Sequence, residues 1–168
     1  VPTVRLSEGE PVARRIDFYD DPDAPPPNSL VPSANVVVVN DAGELLLIHR
    51  TDNDNWALPG GAMDLGESLV DTAVRETREE TGIVCEVTGL VGIYTDPRHV
   101  ILYTGDGEVR QEFSVVFTAR PISGTPTTSS ETREVEWVAP AAVDPLPMDR
   151  SMRLRVQHYL SGKTSPHL

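Results

Sequence analysis

The stretch Gly61 to Ile83, GAMDLGESLVDTAVRETREETGI, decides how the rest of this 168-residue chain is interpreted. It places four glutamates on one loop and helix: Glu67 closes the loop, and Glu76, Glu79 and Glu80 lie on the predicted helix. Side chains three and four residues apart share a helix face, so the last three should converge within an arc of about 100°. Because clustered carboxylates repel one another, a divalent cation is expected among them, and hard oxygen ligands favour Mg²⁺ or Mn²⁺.

The same residues resemble the Nudix box, the motif of hydrolases that cleave nucleoside diphosphates linked to another group. The matching positions are Gly61, Glu67, Arg75, Glu76, Glu79, Glu80, Gly82 and Ile83. One position departs from the pattern, because Thr77 stands where an aliphatic residue is preferred, on the side of the helix expected to pack on the core. The preceding WALPGG segment is similar to the stretch that leads into this box. The resemblance implies the Nudix fold and metal-dependent cleavage of a diphosphate linkage.

Local patterns predict an α+β protein. Ser68 with Asp71 forms a capping box and Gly82 is a helix stop, so a helix is predicted over 69–81. Apolar alternation predicts strands at 35–39, 44–50, 56–58, 83–94, 99–103, 109–119 and 134–138, and a second helix at 148–160. The first two strands are expected to form a hairpin. With the resemblance, this order implies an α/β/α sandwich whose mixed β-sheet carries the Nudix helix on one side and a C-terminal helix.

Residues 1–33 are expected to form a Pro-rich N-terminal arm, and residues 34–168 the Nudix hydrolase domain. Five prolines between positions 22 and 32 exclude a continuous helix in the arm. Ile16, Phe18 and Tyr19 are apolar enough to dock on a surface. Three alternatives stay open: the arm packs on its own chain, it is a disordered tail, or it joins a homodimer, as the resemblance implies for many Nudix enzymes.

The composition excludes several other classes of protein. A formal net charge of −12 argues against a nucleic-acid binder with a basic patch, whereas metal ions can supply positive charge for an anionic nucleotide substrate. No apolar run is long enough to span a membrane, and the first residues lack the layout of a signal peptide. The lone Cys85 lies in an apolar alternating stretch, so we expect it to be buried, and a cytoplasmic location is the default expectation.

Hydrolysis of a diphosphate requires neutralised phosphoryl oxygens and an activated water molecule. Glu79 and Glu80 are the predicted direct metal ligands. Glu76 either completes the metal cluster or accepts a proton from the water. Glu67 either binds a second metal ion or holds the loop by hydrogen bonds, and Arg75 is expected to orient a glutamate through a salt bridge.

Further site residues are predicted outside the helix. By resemblance, the carbonyl oxygen beside the bend at Gly60–Gly61 joins the metal ligands, and Glu131 is a further ligand or general base. Arg50 and Arg98 are predicted substrate contacts, since arginine is the better donor for bidentate phosphate contacts. Glu112 is expected to face either solvent or the cleft, and in the second case it also contacts the substrate.

The sequence leaves the substrate open. Pro97 lies close to where ADP-ribose pyrophosphatases resemble one another in carrying a proline, which slightly favours ADP-ribose or a nucleotide sugar. The compact layout is also similar to that of enzymes that cleave nucleoside triphosphates, including oxidised ones. A non-catalytic nucleotide-binding module is a further alternative, disfavoured because all four box glutamates are present. Isomerisation of a prenyl diphosphate is disfavoured for the same reason and because no catalytic cysteine constellation is visible.

Overall fold

The computed structural model describes residues 14–168. Its strands, in chain order, are β1 (Arg15–Tyr19), β2 (Ser29–Leu30), β3 (Ser33–Val38), β4 (Leu45–Arg50), β5 (Trp56–Ala57), β6 (Gly60–Ala62), β7 (Val84–Tyr94), β8 (His99–Tyr103), β9 (Glu108–Gln111), β10 (Ser114–Ser123) and β11 (Thr132–Val138). The helices are α1 (Leu69–Thr81) and α2 (Arg150–Leu160). Strands are ordered β6-β3-β10-β7, β1-β8-β9-β2 and β11-β4-β5 in three sheets. The predicted α+β class is confirmed.

Strand β3 lies at the centre because both of its faces are apolar. Val37 packs in one core cluster with Val156 of α2, whereas Val36 and Val38 pack in a second cluster with Ala73 of α1. Alternate residues of a strand point to opposite faces, so this strand separates two cores, one beneath each helix. Its parallel pairing with β10 and antiparallel pairing with β6 make the sheet mixed, as predicted.

The predicted hairpin of β3 and β4 is wrong. These two segments share only an isolated bridge between Val39 and Leu45, and each strand is paired with other elements. The strands that pair with β3 come from distant parts of the chain. An apolar run in the sequence does not indicate which strand will pair with it. The predicted strand 109–119 is also divided, since Glu112 and Phe113 lie between β9 and β10.

Helix α1 begins and ends where the sequence predicts. Ser68 and Asp71 form the reciprocal capping box, and Gly82 ends the helix with φ of 74°, in the left-handed region. Thr77 is fully buried, so the departure from the Nudix pattern lies on the packing side, as expected. Val70, an apolar residue of the same helix, is 44% exposed.

Part of the predicted N-terminal arm packs on its own chain. Strand β1 pairs antiparallel with β8, and β2 pairs parallel with β9. Tyr19 stacks on His99 of the same chain, whereas Ile16 is 40% exposed. A dimer and the boundary at 33/34 stay predictions. The predictions for residues 1–13 concern a part of the chain outside the described residues. Within the described part, neither helix is long and apolar enough to cross a membrane.

Candidate active site

One cavity of about 320 Å³ collects most of the predicted site residues. Its charged lining consists of Glu76, Glu80, Glu112, Glu131, Arg15, Arg50, Arg110 and Arg155. The bend at Gly60–Gly61 also lines it. The structure therefore brings together acids from α1, the loop before β11 and the β9–β10 break, all of which were predicted as site residues.

Arg75 gathers three of the four box glutamates. Its guanidinium donates to Glu67, to Oε1 of Glu76 at 2.9 Å and to Oε2 of Glu79 at 3.2 Å. Glu67 also accepts a hydrogen bond from Oγ1 of Thr72 at 2.8 Å. The hydrogen bonds from Arg75 are the main cause that lowers the pKa of Glu67 to about 2. These contacts correspond to the loop-holding alternative for Glu67 and to the orienting role expected of Arg75.

Glu80 is the most deeply placed box carboxylate, with 4% of its surface exposed. Its Oε2 accepts a hydrogen bond from the main-chain N–H of Gly60 at 3.2 Å. Burial raises the pKa of Glu80 to about 8; the Gly60 N–H and the charge of Arg50 oppose the rise, and Glu76 and Glu131 add to it. A nearby positive charge would therefore stabilise the ionised form of this acid.

Glu76 lies directly over Gly61. A Cβ atom at Gly61 would stand 2.5 Å from Oε1 of Glu76, so the absence of a side chain there makes room for the carboxylate. Burial raises the pKa of Glu76, Arg75 opposes that rise, and the charges of Glu79 and Glu131 reinforce it.

Four predicted site residues, Arg75 included, are not part of the cavity lining. Glu67 and Glu79 lie outside it on Arg75, and the side chain of Glu79 is 54% exposed. Arg98 lies on a different surface, where it pairs with Asp96 at 3.0 Å. The helix period places Glu76, Glu79 and Glu80 on one arc, but tertiary packing turns Glu80 inward and leaves Glu79 outward.

The donor set of the cavity fits a hard divalent cation. Glu76, Glu80 and Glu131 offer carboxylate oxygens, and none of the described lining residues is a histidine or cysteine. Among residues 14–168, however, no three acidic, histidine or cysteine side chains are grouped closely enough to share one ion. In this arrangement Arg75 occupies the space between Glu67, Glu76 and Glu79, and Glu80 is bonded separately to Gly60.

A second group of charged residues, the buried network, was not predicted as a unit; it consists of Asp17, His99, Glu112 and Arg155. Nε2 of His99 lies 3.0 Å from Asp17, and its Nδ1 lies 3.3 Å from Glu112 without hydrogen-bond alignment. Nη2 of Arg155 donates to Glu112 at 2.7 Å. Glu112 thus lines the cleft, one of its two predicted positions, and it is hydrogen-bonded there to Arg155.

The buried network reaches the box through Asn35, which sequence reasoning missed. Nη1 of Arg155 donates to Oδ1 of Asn35. The side chain of Asn35 packs on Gly60, where an added Cβ would lie 2.5 Å from Nδ2. A polar residue opening the apolar run of β3 was the available signal in the sequence.

The fold and the acidic cavity are accompanied by a match to a known family. Residues 29–159 match the NUDIX domain, so the chain belongs to the Nudix family and its α+β fold is the Nudix fold. It is a Nudix hydrolase, a diphosphatase acting on nucleotide-type substrates. Members of this family typically depend on divalent metal ions.

Alignments with three named relatives cover more than half of each relative. A MutT-like protein of Streptomyces ambofaciens is 37% identical over 143 residues, covering 85% of this chain and 84% of the relative. A putative 8-oxo-dGTP diphosphatase of Bacillus subtilis (strain 168) is 30% identical, covering 77% and 79%. An ADP-ribose pyrophosphatase of Methanocaldococcus jannaschii is 33% identical over 108 residues, covering 60% and 57%.

A solved structure shows the same fold. The NUDIX hydrolase from Nitrosomonas europaea superimposes with a TM-score of 0.63, covering 82% of this chain and 93% of that one. At 20% sequence identity, this similarity concerns the fold alone.

Proposed function

We propose that this enzyme is a Mg²⁺- or Mn²⁺-dependent pyrophosphohydrolase of nucleoside triphosphates, oxidised nucleotides included. The observation that carries the proposal is the single cavity in which Glu76, Glu80 and Glu131 lie with Arg50. Carboxylates suit the cation and a guanidinium suits the phosphate. The names of the Streptomyces and Bacillus relatives support a triphosphate over the ADP-ribose type that Pro97 favoured.

Glu76 and Glu80, with the carbonyl beside Gly60–Gly61, are the proposed holders of the cation. Glu79 and Glu67 stand farther out on Arg75 and are the proposed ligands of any further cation. When bound, the metal ion neutralises charge on the phosphoryl oxygens and lowers the pKa of water.

The remaining chemistry belongs to the side chains of the cavity. Glu76 or Glu131, both of which line the cavity, accepts a proton from the attacking water. Arg50 donates hydrogen bonds to a phosphoryl oxygen. Arg75 fixes the rotamer of Glu76 through their 2.9 Å hydrogen bond.

ADP-ribose or a nucleotide sugar is the second candidate, supported by the name of the Methanocaldococcus relative. Pro97 adds little to it, because this residue lies beside Arg98 and the prolines at 25–27 in a separate surface depression.

The experiment is a substrate panel with purified protein: nucleoside triphosphates, 8-oxo-dGTP, ADP-ribose and a nucleotide sugar, each with Mg²⁺ or Mn²⁺. We expect release of pyrophosphate and a nucleoside monophosphate from triphosphates, and loss of that release in EDTA. Glu86→Gln is the matched control for Glu76→Gln and Glu80→Gln, because Glu86 pairs with Arg120 on an exposed part of the chain.

Two results would contradict the proposal. Full activity in both Glu76→Gln and Glu80→Gln would refute the assignment of the ligands. A nucleotide that raises the melting temperature but is never consumed would favour a binding module instead.

A further inference from the structure

The sheet formed by β1, β8 and β9 turns a polar face toward the active-site cavity. That face is built from two rows of directly paired residues, Arg15–Tyr103–Glu108 and Asp17–Ile101–Arg110. Paired residues on neighbouring strands point to the same side, as do residues two apart on one strand. Arg15, Ile101, Tyr103 and Arg110 line the cavity that also contains Glu76 and Glu80.

Each arginine of this face is held by a carboxylate two residues away on its own strand. Nη2 of Arg15 donates to Asp17 at 3.1 Å, and Nε and Nη2 of Arg110 donate to Glu108 at 2.7 and 2.9 Å. The arginines line the cavity, whereas Asp17 and Glu108 are not among its described lining residues. Each ion pair therefore presents its positive end to the cavity.

The outer nitrogens of these guanidinium groups remain available. In residues 14–168, no hydrogen bond from the chain is made by Nη1 of Arg15, and Nη1 of Arg110 reaches only the hydroxyl of Tyr103 at 3.5 Å. Arg50 repeats the arrangement, because its Nε and Nη2 donate to Asp52 at 2.8 and 2.6 Å. Three fixed guanidinium groups thus face one cavity.

These positive groups are close enough to influence one another. Burial is the largest influence on the pKa of Arg50, and the hydrogen bond to Glu108 is the largest on that of Arg110; in both cases the charge of Arg15 acts to lower the pKa. Repulsion of this kind is relieved when an anion lies between the groups.

The carboxylate that pairs with Arg15 is itself held in the interior. The side chain of its partner Asp17 is 8% exposed and lies 3.0 Å from Nε2 of His99. A guanidinium whose counter-ion is itself fixed in the interior loses little freedom when it binds a ligand.

We propose that Arg15 and Arg110 bind the phosphate that lies beyond the scissile diphosphate, and so select nucleoside triphosphates over sugar-linked diphosphates. This inference rests on the proposed function. Arg50, already a predicted substrate contact, completes the anionic subsite. A terminal phosphate carries charge that bidentate guanidinium groups match, whereas the ribose of ADP-ribose offers only hydroxyl groups at that position.

Part of the proposed subsite lies outside the segment of the chain that matches the family. Strand β1 precedes residue 29, at which the match to the NUDIX domain begins. The β1–β8 pairing is what carries Arg15 into the cavity.

The experiment compares wild type with Arg15→Gln and Arg110→Gln. We measure kcat/KM for GTP and for ADP-ribose in Mg²⁺, and we record the rise in Tm caused by inorganic triphosphate and by orthophosphate in metal-free buffer. Charge-assisted hydrogen bonds typically carry about tenfold to a hundredfold in affinity. We expect kcat/KM for GTP to fall by that factor, mostly through KM, and the GTP to ADP-ribose ratio of kcat/KM to fall at least about tenfold.

The matched control is Arg120→Gln, which removes an arginine that pairs with Glu86 away from the cavity and should leave the ratio as in wild type. Arg110→Lys should recover part of the loss, because lysine keeps the charge but not the planar fork. If Arg15→Gln fails to fold, Arg15→Lys and Arg110→Gln still decide the result, since Glu108 is partly exposed at 22%.

Equal losses for GTP and ADP-ribose would overturn the inference. So would a changed preference among bases at constant phosphate number, which would indicate base recognition instead. If wild type cleaves no triphosphate, the proposed function fails while the binding measurement still tests the subsite. In that case a smaller triphosphate-induced rise in Tm for Arg110→Gln than for wild type supports it, and equal rises refute it.

Discussion

Two groups of acidic side chains can be compared: the buried network and the box cluster, which consists of Glu67, Arg75, Glu76, Glu79 and Glu80. They differ in how many basic side chains accompany the acids. In the box cluster, Arg75 serves three glutamates, and Glu80 is left with a main-chain N–H. In the buried network, each acid has an arginine of its own and also contacts His99: Asp17 pairs with Arg15, and Glu112 pairs with Arg155. Only the first has unbalanced negative charge.

This contrast indicates which of the two clusters a metal ion would stabilise. Buried acids that are already paired have little to gain from another cation, and removal of one partner leaves a charge stranded. Acids that share too few positive neighbours are still stabilised when a further cation binds. The box cluster is therefore the functional cluster in our proposal, and the buried network fixes β1, β8 and α2 around it.

The largest expected effect is that of Glu80→Gln on catalysis. Loss of a proposed metal ligand should lower kcat by about 10³-fold or more, which corresponds to roughly 4 kcal/mol. The fold should survive, because a neutral amide is less costly to bury than an ionised carboxylate. Mg²⁺-dependent kinetics and thermal unfolding check both statements, and a large fall in Tm would instead assign Glu80 a structural role.

Arg155→Ala should have the largest effect on stability. It leaves Glu112 buried with His99 alone, and the loss of one partner of a buried pair typically costs about 3–5 kcal/mol. Urea unfolding measures the change. Arg120→Ala is the matched control, since an exposed ion pair is worth about 0–1 kcal/mol; similar losses in the two variants would remove the distinction between the clusters.

Gly61→Ala should separate activity from stability. The added Cβ meets the flexible end of Glu76, which can move, so we expect kcat to fall about tenfold to a hundredfold with little change in Tm. Gly60→Ala is the contrasting variant, because its Cβ would lie 2.1 Å from the main-chain oxygen of Ala34. That clash involves backbone, so this variant should lose Tm as well; equal Tm values would contradict the geometry.

The smallest expected effect is a pH dependence from His99. Burial lowers the pKa of His99, but its contacts with Asp17 and Glu112 raise it further, so the net shift is upward from 6.5. The stabilisation is therefore complete below the ordinary pKa and is lost as pH rises through the raised value. Urea unfolding of wild type and His99→Asn from pH 6 to 9 should show a shrinking difference, whereas a constant difference would exclude a charged His99.

The Nudix class, the limits of α1 and the acids available to a cation could all be predicted from the sequence. These follow from local spacing: a capping box from Ser68 to Asp71, a stop at Gly82, and glutamates at helical intervals. The burial of Cys85 and Thr77 followed from local patterns in the same way.

Which acids face the cavity, and which arginines line it with them, depends on tertiary packing. Glu79 and Glu80 are neighbours in sequence, yet one is exposed and the other buried, because packing against Gly60 takes Glu80 alone. Arg15 and Arg110 reach the cavity through the pairing of β1, β8 and β9. Strand pairing across such separations depends on the shape and burial of the whole sheet, which no short-range pattern encodes.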